Sequence, residues 1–181
     1  MQIIPRLLLL CCCLISLPLL AQKKNASYKL HIKRATSAIK IDGVMDEQAW
    51  ADAEMGSDFY MILPMDTSYA NLRTTVRMAY DDKNIYLLVE NYIPAKGYMV
   101  ESLRRDFAFL KNDNFLMFMD PFDDQTNGFA FGANAAGAQW DGLMYDGGKV
   151  DLSWDNKWHS VVKNYDDKWV FEAVIPFKSI R

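Results

Sequence analysis

The residues best equipped for chemistry lie between Arg104 and Trp158. Arg104, Arg105 and Asp106 open that stretch, Asp113 begins a short apolar run, Trp140 and Asp141 stand side by side, and Trp154 and Trp158 close it. Indole faces supply wide contact at little conformational cost, while carboxylates and guanidinium forks orient polar groups. That mixture suits the binding of a small polar ligand better than bond breaking. It makes Arg104, Arg105, Asp106, Asp113, Trp140 and Asp141 the candidate ligand-binding residues. A plainer reading stands beside it, in which Trp154 and Trp158 pack in the core or under loops and the two arginines lie on a solvated, salt-bridged face.

A second chemistry is suggested by Asp120, Asp123, Asp124 and Asn127, four hard oxygen donors within one short turn. Calcium takes such ligands. The spacing is not that of an EF-hand and Pro121 intrudes, so a solvated hairpin turn reversed by Asn127-Gly128 accounts for the same residues more simply. Catalysis has little support. The sequence holds no Gly-x-Ser-x-Gly, no His-Glu-x-x-His and no phosphate-cradling glycine loop, and His31 and His159 stand far apart. A glycosidase needs two positioned carboxylates, and among 23 acidic residues no pair is singled out. No residue is assigned a catalytic role, and no cofactor is required.

These side chains need elements to hold them. Asn114–Asp120 and Gly128–Asn134 are short apolar runs joined by the acidic turn and read as paired strands. Thr74–Tyr80 alternates, with Val76, Met78 and Tyr80 on one face; Asp81–Asn84 is a turn and Ile85–Glu90 a return strand. Trp158–Asn164 and Lys168–Ile175 form another hairpin around Tyr165–Asp167. Pro176 stops the second strand, and the residues from Phe177 to Arg181 begin a helical turn. Near the start, Tyr28–Ala35 alternates as a strand. Asp42-Gly43 is a turn pair, and Asp46 caps a short helix with Glu47 and Gln48 in its first turn and Trp50 as a core anchor. Short strands, frequent turns and one brief helix predict an all-β antiparallel sandwich of immunoglobulin or jelly-roll type with short helical turns.

Residues 1–21 are expected to be a secretory signal peptide: Arg6 is the positive end, LLLLCCCLISLPLL the apolar core and Ala21 the small residue at the cleavage point. The apolar run falls short of the ~20 residues of a spanning helix. All three cysteines, Cys11, Cys12 and Cys13, lie within it, so the remaining chain holds no thiol for a disulfide, a metal or catalysis. Residues 22–35 are then an N-terminal segment with the first strand, and 36–181 one domain large enough for its own core. The net charge of -3 argues against a nucleic-acid partner. The expected location is beyond the inner membrane: periplasm, outer membrane or extracellular space.

Four segments carry a resemblance. Ile41-Asp-Gly-Val-Met-Asp-Glu-Gln-Ala-Trp50 resembles the opening motif of carbohydrate-binding module family nine. Met78–Leu87 resembles that family's strand, acidic turn and strand; Asp113–Asp120 resembles its aspartate-bounded central strand; Trp169–Pro176 resembles a late strand. The wording RRD, NAAG, SWDNKW and IPFKSIR is similar to a branch of long secreted bacterial proteins in which this sandwich precedes a large C-terminal region associated with the outer membrane. The resemblance implies a sugar-binding sandwich, with calcium in some relatives and a link to glycoside hydrolysis in full-length ones. It also implies that a sugar is held between two tryptophans. One of them corresponds to Leu110 here and the other to a region beyond Arg181, as do the final strands, so the sandwich is expected to be truncated at its C-terminus.

Two functions follow as expectations. The first is a secreted domain of a larger envelope protein that binds an oligo- or polysaccharide and serves polysaccharide breakdown, a sugar's C–H face lying on an indole and its hydroxyls on Asp and Arg. The alternative is a structural docking or plug module for its own C-terminal outer-membrane-associated region, binding no sugar.

Overall fold

The computed structural model describes residues 28–63, 68–94 and 96–181. The expected signal peptide, its cysteines, the polar residues 22–27 and the Asn25-Ala26-Ser27 sequon lie outside the described residues.

Ten strands and one short helix carry the described chain. In order they are β1 (Lys33–Arg34), α1 (Gln48–Asp52), β2 (Met55–Gly56), β3 (Thr74–Tyr80), β4 (Asn84–Tyr92), β5 (Asn114–Met119), β6 (Gly128–Asn134), β7 (Gln139–Tyr145), β8 (Lys149–Asp151), β9 (His159–Asn164) and β10 (Lys168–Pro176). Single 3-10 turns occupy Phe109–Lys111 and Phe177–Ser179. One sheet runs β1-β3-β4-β10-β9, with β2 also paired to β3; the other runs β5-β6-β7-β8. The pairings are antiparallel apart from β1 beside β3. The expected antiparallel sandwich is the observed architecture.

The three predicted hairpins form. β3 pairs with β4 from Thr74↔Asn91 to Tyr80↔Ile85, β5 with β6 from Asn114↔Asn134 to Met119↔Phe129, and β9 with β10 from His159↔Val174 to Asn164↔Trp169. Their period of two sends Val76, Leu87, Val89 and Phe171 from one sheet against Phe115, Met117, Phe131 and Ala133 from the other. This inter-sheet layer is the main core.

A second apolar layer lies on the far face of the first sheet. There α1 lays Trp50 over Ala79, Leu88 and Val170, and only 2% of the indole residue is exposed. Trp50 is thus the core anchor that the sequence suggested. The helix begins one turn position later than Asp46 suggested: Glu47 occupies the cap, and no side-chain hydrogen bond closes it.

Three features depart from expectation. The strand over Tyr28–Ala35 is only Lys33–Arg34, held in parallel against Ala79 and Tyr80. The β3–β4 turn is shorter by one residue, since Asn84 already belongs to β4 and Asp81 accepts the N–H groups of Lys83 and Asn84, each at 2.7 Å. Finally, β7 and β8 form a hairpin in a stretch to which the sequence reading assigned no element. It is this hairpin that places Trp140 and Asp141.

Candidate functional site

Strand alternation sends neighbours Trp140 and Asp141 to opposite faces of β7. Asp141 stands opposite Phe131 in register, on the face turned to the other sheet, and is 0% exposed. A carboxylate removed from water needs charge and hydrogen-bond partners. Arg105, on the segment that precedes β5, supplies them. One terminal guanidinium nitrogen donates to Asp141 Oδ1, and the other donates to Gln139 Oε1 at 3.0 Å. Arg105 Nε also lies 2.7 Å from Asp155 Oδ1 and 3.8 Å from Asp106 Oδ2.

Backbone groups complete the cluster. Asn156 N–H donates to Asp141 Oδ2 at 3.2 Å, Asp141 N–H to Asp106 Oδ1 at 3.4 Å, and Asp106 N–H to the carbonyl of Gln139 at 3.0 Å. Gln139 Nε2 then reaches Ser160 Oγ on β9 at 3.0 Å, which ties the second sheet to the first. Exposure rises outward: the Asp141 side chain is 0% exposed, Arg105 34% and Asp155 72%. Desolvation pushes the Asp141 carboxyl above the ordinary range, with Arg105 and the Asn156 N–H opposing. Asp106 is likewise raised by burial, against the Asp141 N–H and Arg105.

The result is a polar border between the two sheets, with a dry carboxylate at its base and a half-exposed guanidinium and an exposed carboxylate at its mouth. Three carboxyl groups surround one guanidinium. Acceptors therefore outnumber donors at the rim, which favours a ligand rich in O–H or N–H donors.

Of the six candidate ligand-binding residues, the fold gathers Arg105, Asp106 and Asp141. Trp140 is placed elsewhere. It is 4% exposed on the outer face of the second sheet, packed with Phe107 and Ala130, and its ring meets Phe118 edge-on at 6.3 Å. Gly132 is its register partner, and a Cβ there would collide with Phe115 O and lie 2.6 Å from Leu116 Cδ2 on β5. A ring packed this way offers no open face for stacking. Arg104 is exposed, with its backbone N–H on Ser102 Oγ at 3.1 Å. Asp113, also exposed, ties a loop: its Oδ2 accepts Met99 N–H at 2.6 Å and its own N–H donates to Met99 O at 2.7 Å. Trp154 and Trp158 pack against Phe129, Phe131 and Phe171, as the plainer reading had it. Leu110 is 75% exposed.

The acidic turn is bound up with itself. Asp120 accepts the N–H groups of Phe122 at 3.0 Å and Gln125 at 2.7 Å. Asp124 accepts those of Thr126 at 2.8 Å and Asn127 at 2.7 Å, and the Asn127 side-chain amide at 2.9 Å. These bonds hold Asp124 below the ordinary carboxylate range, the backbone N–H of Asn127 first among them. Asp123 and Gln125 take positive φ angles of 54° and 58°. Among the described residues, no group of three or more His, Cys, Asp or Glu side chains is placed to hold a metal ion.

Sequence reasoning did not single out Gln139, Ser160, Asp155 or Asn156. The first two are ordinary polar residues on strands, and only the register reveals that they meet. Asp155 and Asn156 lie in the Ser-Trp-Asp-Asn-Lys-Trp segment, where the density of polar and aromatic residues was the available signal.

Comparison with known proteins adds to this geometry. The family described as carbohydrate family 9 binding domain-like matches residues 41–181. No curated protein matches the chain. Among solved structures, a carbohydrate binding module family 9 from Caldicellulosiruptor kristjanssonii in complex with glucose is similar with a TM-score of 0.58 and 15% identity, over 83% of this chain and 70% of that one. One with cellotriose, from the same organism, gives 0.56 and 16%, over 80% and 66%. A candidate carbohydrate-binding protein from Bacteroides uniformis gives 0.62 and 13%, over 82% and 72%. At such identities the likeness is one of fold.

Proposed function

We propose, from the premise that this chain belongs to the carbohydrate family 9 binding domain-like family, that it is a carbohydrate-binding module and that its ligand meets the border formed by Arg105, Asp106 and Asp155. The family match across residues 41–181 carries this reading. The glucose and cellotriose held by the Caldicellulosiruptor kristjanssonii modules make short glucans the first saccharides to try. At the border, the outward part of Arg105 donates to ring and hydroxyl oxygens, while Asp155 and Asp106 accept sugar O–H groups. In the wider reading the module is exported with a larger envelope protein and holds that protein on polysaccharide during its breakdown.

A second reading, a docking module with no affinity for sugar, is favoured by Leu110, an aliphatic side chain 75% exposed where a stacking aromatic is expected of a sugar clamp. A glycan array, followed by calorimetry with glucose and cellotriose, separates the two. Saccharide binding that Asp155→Ala weakens at least tenfold without lowering the melting temperature supports the border site. An array without a retained glycan supports the docking module, and binding that survives Asp155→Ala and Arg105→Lys unchanged moves the site elsewhere.

A further inference from the structure

The face of β7 that carries Asp141 also carries Tyr145, four residues on and about 13 Å away along the strand. Two segments follow one another beside that length of β7. The Arg105-Asp106 segment lies against Gln139 and Asp141, tied by Asp106 N–H to Gln139 O at 3.0 Å and by Asp141 N–H to Asp106 Oδ1 at 3.4 Å. Next to it β8 pairs with Leu143, Met144 and Tyr145. Leu152 leaves β8 and closes over Gly142, where a Cβ would lie 3.3 Å from Leu152 Cδ2. Three residues later Asp155 reaches Arg105 Nε at 2.7 Å. The surface of the Arg105 border therefore continues past Leu152 toward Tyr145.

There it opens into a groove of about 710 Å³, a size within the roughly 300–1,000 Å³ of ligand pockets. Its walls are the turns that end the β5–β6 and β7–β8 hairpins. Phe122 stands on the first, 55% exposed, and Tyr145 opens the second, 42% exposed. Leu143 and Val150 belong to the apolar floor, and Asn127 and Asp151 add an amide and a carboxylate. The two turns are fixed to each other, since Gly147 N–H donates to Thr126 O at 3.1 Å. Phe122 rests on Phe129 with ring centroids 6.2 Å apart, and Lys149 Nζ lies 5.7 Å from the Tyr145 ring while it pairs with Asp146 at 3.0 Å. Both rings are thus held in place before a ligand arrives, which lowers the ordering cost of binding.

We infer that this groove is a second contact for the saccharide, so that the module holds a neutral chain of several sugar units and not a single one. One unit lies at the Arg105 border. Further units pass Leu152 and lay their C–H faces on Tyr145 and Phe122, with hydroxyls toward Asn127 and Asp151. The groove sets rings and aliphatic carbon beside an amide and a carboxylate, as a sugar sets C–H faces beside hydroxyl rims. Its charge selects among saccharides. The two turns and β8 carry Asp120, Asp123, Asp124, Asp146 and Asp151 against Lys149, so a chain bearing carboxylates or sulfates is repelled and a neutral one is not. The inference rests on the saccharide reading proposed above and extends it to the length and charge of the ligand.

The test compares glucose with cellohexaose by calorimetry on the full chain. Cellohexaose is expected to bind about tenfold or more tightly than glucose, and the ratio of the two affinities is expected to fall toward one in Phe122→Ala and in Tyr145→Ala. Tyr145→Phe keeps the ring and is expected to keep the ratio. A second measurement needs no substitution: the backbone amide resonances of Asn127, Tyr145 and Leu152 are expected to shift with cellohexaose and to stay in place with glucose. Equal affinity for the two saccharides, a ratio that survives both alanine variants, or resonances unmoved at saturating cellohexaose overturns the inference. If glucose binding is nonetheless lost in Asp155→Ala, the border reading stands without the groove. If neither saccharide binds, the border reading and the inference fall together.

Discussion

Glu172 and Trp50, 122 residues apart in sequence, meet inside the protein: the indole N–H donates to Glu172 Oε1 at 3.0 Å. The other carboxylate oxygen accepts the backbone N–H groups of Asp42 at 2.9 Å and Gly43 at 2.8 Å. Gly43 has φ 74°, and a Cβ there would lie 2.6 Å from Lys163 Cβ, so the Asp-Gly turn has little freedom to be anything else. The two segments Ile41–Trp50 and Trp169–Pro176 are thus halves of one contact, by which β10 holds the N-terminal layer on the sheet. Burial pushes the Glu172 carboxyl up, and its three N–H donors oppose that push.

Glu172→Gln sets an amide NH₂ among those three donors and leaves at least one of them without an acceptor. The expected cost is about 1–3 kcal/mol, read by urea unfolding. Trp50→Phe keeps much of the apolar packing but removes the indole donor. The double variant is expected to lose less than the two single losses added, because both disrupt the same contact. Strict additivity would show that the bond contributes nothing of its own.

Much of this fold is legible in the sequence, and the parts that are not have physical causes. β3, β4, β5, β6, β9 and β10 alternate or run apolar because their inward faces meet chiefly apolar partners, Ser160 of β9 against Gln139 being an exception. β7 hides because its inward face carries Gln139 and Asp141, whose burial is balanced by Arg105 and not by hydrocarbon, so the apolar period is broken. The candidate site is half legible for the same reason. Arg105, Asp106 and Asp141 stand out by type, but the strand assignment that sends Trp140 to the opposite face comes only with the β6–β7 register. β1 contributes two residues, too few for a period to show.

Glu90 gives an acid-side prediction. It accepts from Lys168 at 2.7 Å, Arg77 at 2.9 Å and Thr75 at 2.9 Å. Burial raises its carboxyl, but those three partners together hold it below the ordinary glutamate value. A depressed folded pKa means stability that is whole above the unfolded value and lost as pH falls through the folded one. Glu90→Gln is expected to cost about 1–3 kcal/mol at pH 7, and the gap to wild type should narrow steadily as denaturation is repeated toward pH 3. A gap that stays constant over that range would exclude Glu90 as a source of the acid sensitivity.

The β5–β6 turn rests on Asp124, whose carboxylate gathers two backbone N–H groups and the Asn127 amide. Asp124→Ala frees all three at the surface, and an expected loss of about 1 kcal/mol follows by analogy with the removal of a capping carboxylate. Calcium titration belongs in the same melting experiment. With the Asp120 and Asp124 oxygens engaged by the turn's own N–H groups, millimolar calcium is expected to leave the wild-type midpoint in place. A rise that Asp124→Ala abolishes would instead assign the ion to this turn.

The Arg105 border allows stability and recognition to be separated. Arg105→Met leaves Asp141 buried without its cation, a change of the kind that costs about 3–5 kcal/mol. Asp155 is 72% exposed, so Asp155→Ala is expected to change stability by no more than about 0.5 kcal/mol while removing an acceptor at the mouth. The sign of the pH effect distinguishes the inner pair from the outer one. Asp141 is raised by burial, so the stability linked to it is present below the unfolded carboxyl range and is lost as pH rises through the raised folded value. Without Arg105 that loss has less to oppose it. The cost of Arg105→Met should therefore be largest at pH 7 and shrink toward pH 4, where a neutral Asp141 no longer needs the guanidinium. A cost that stays the same from pH 7 to pH 4 would mean that Arg105 contributes chiefly through packing and not through its charge beside Asp141.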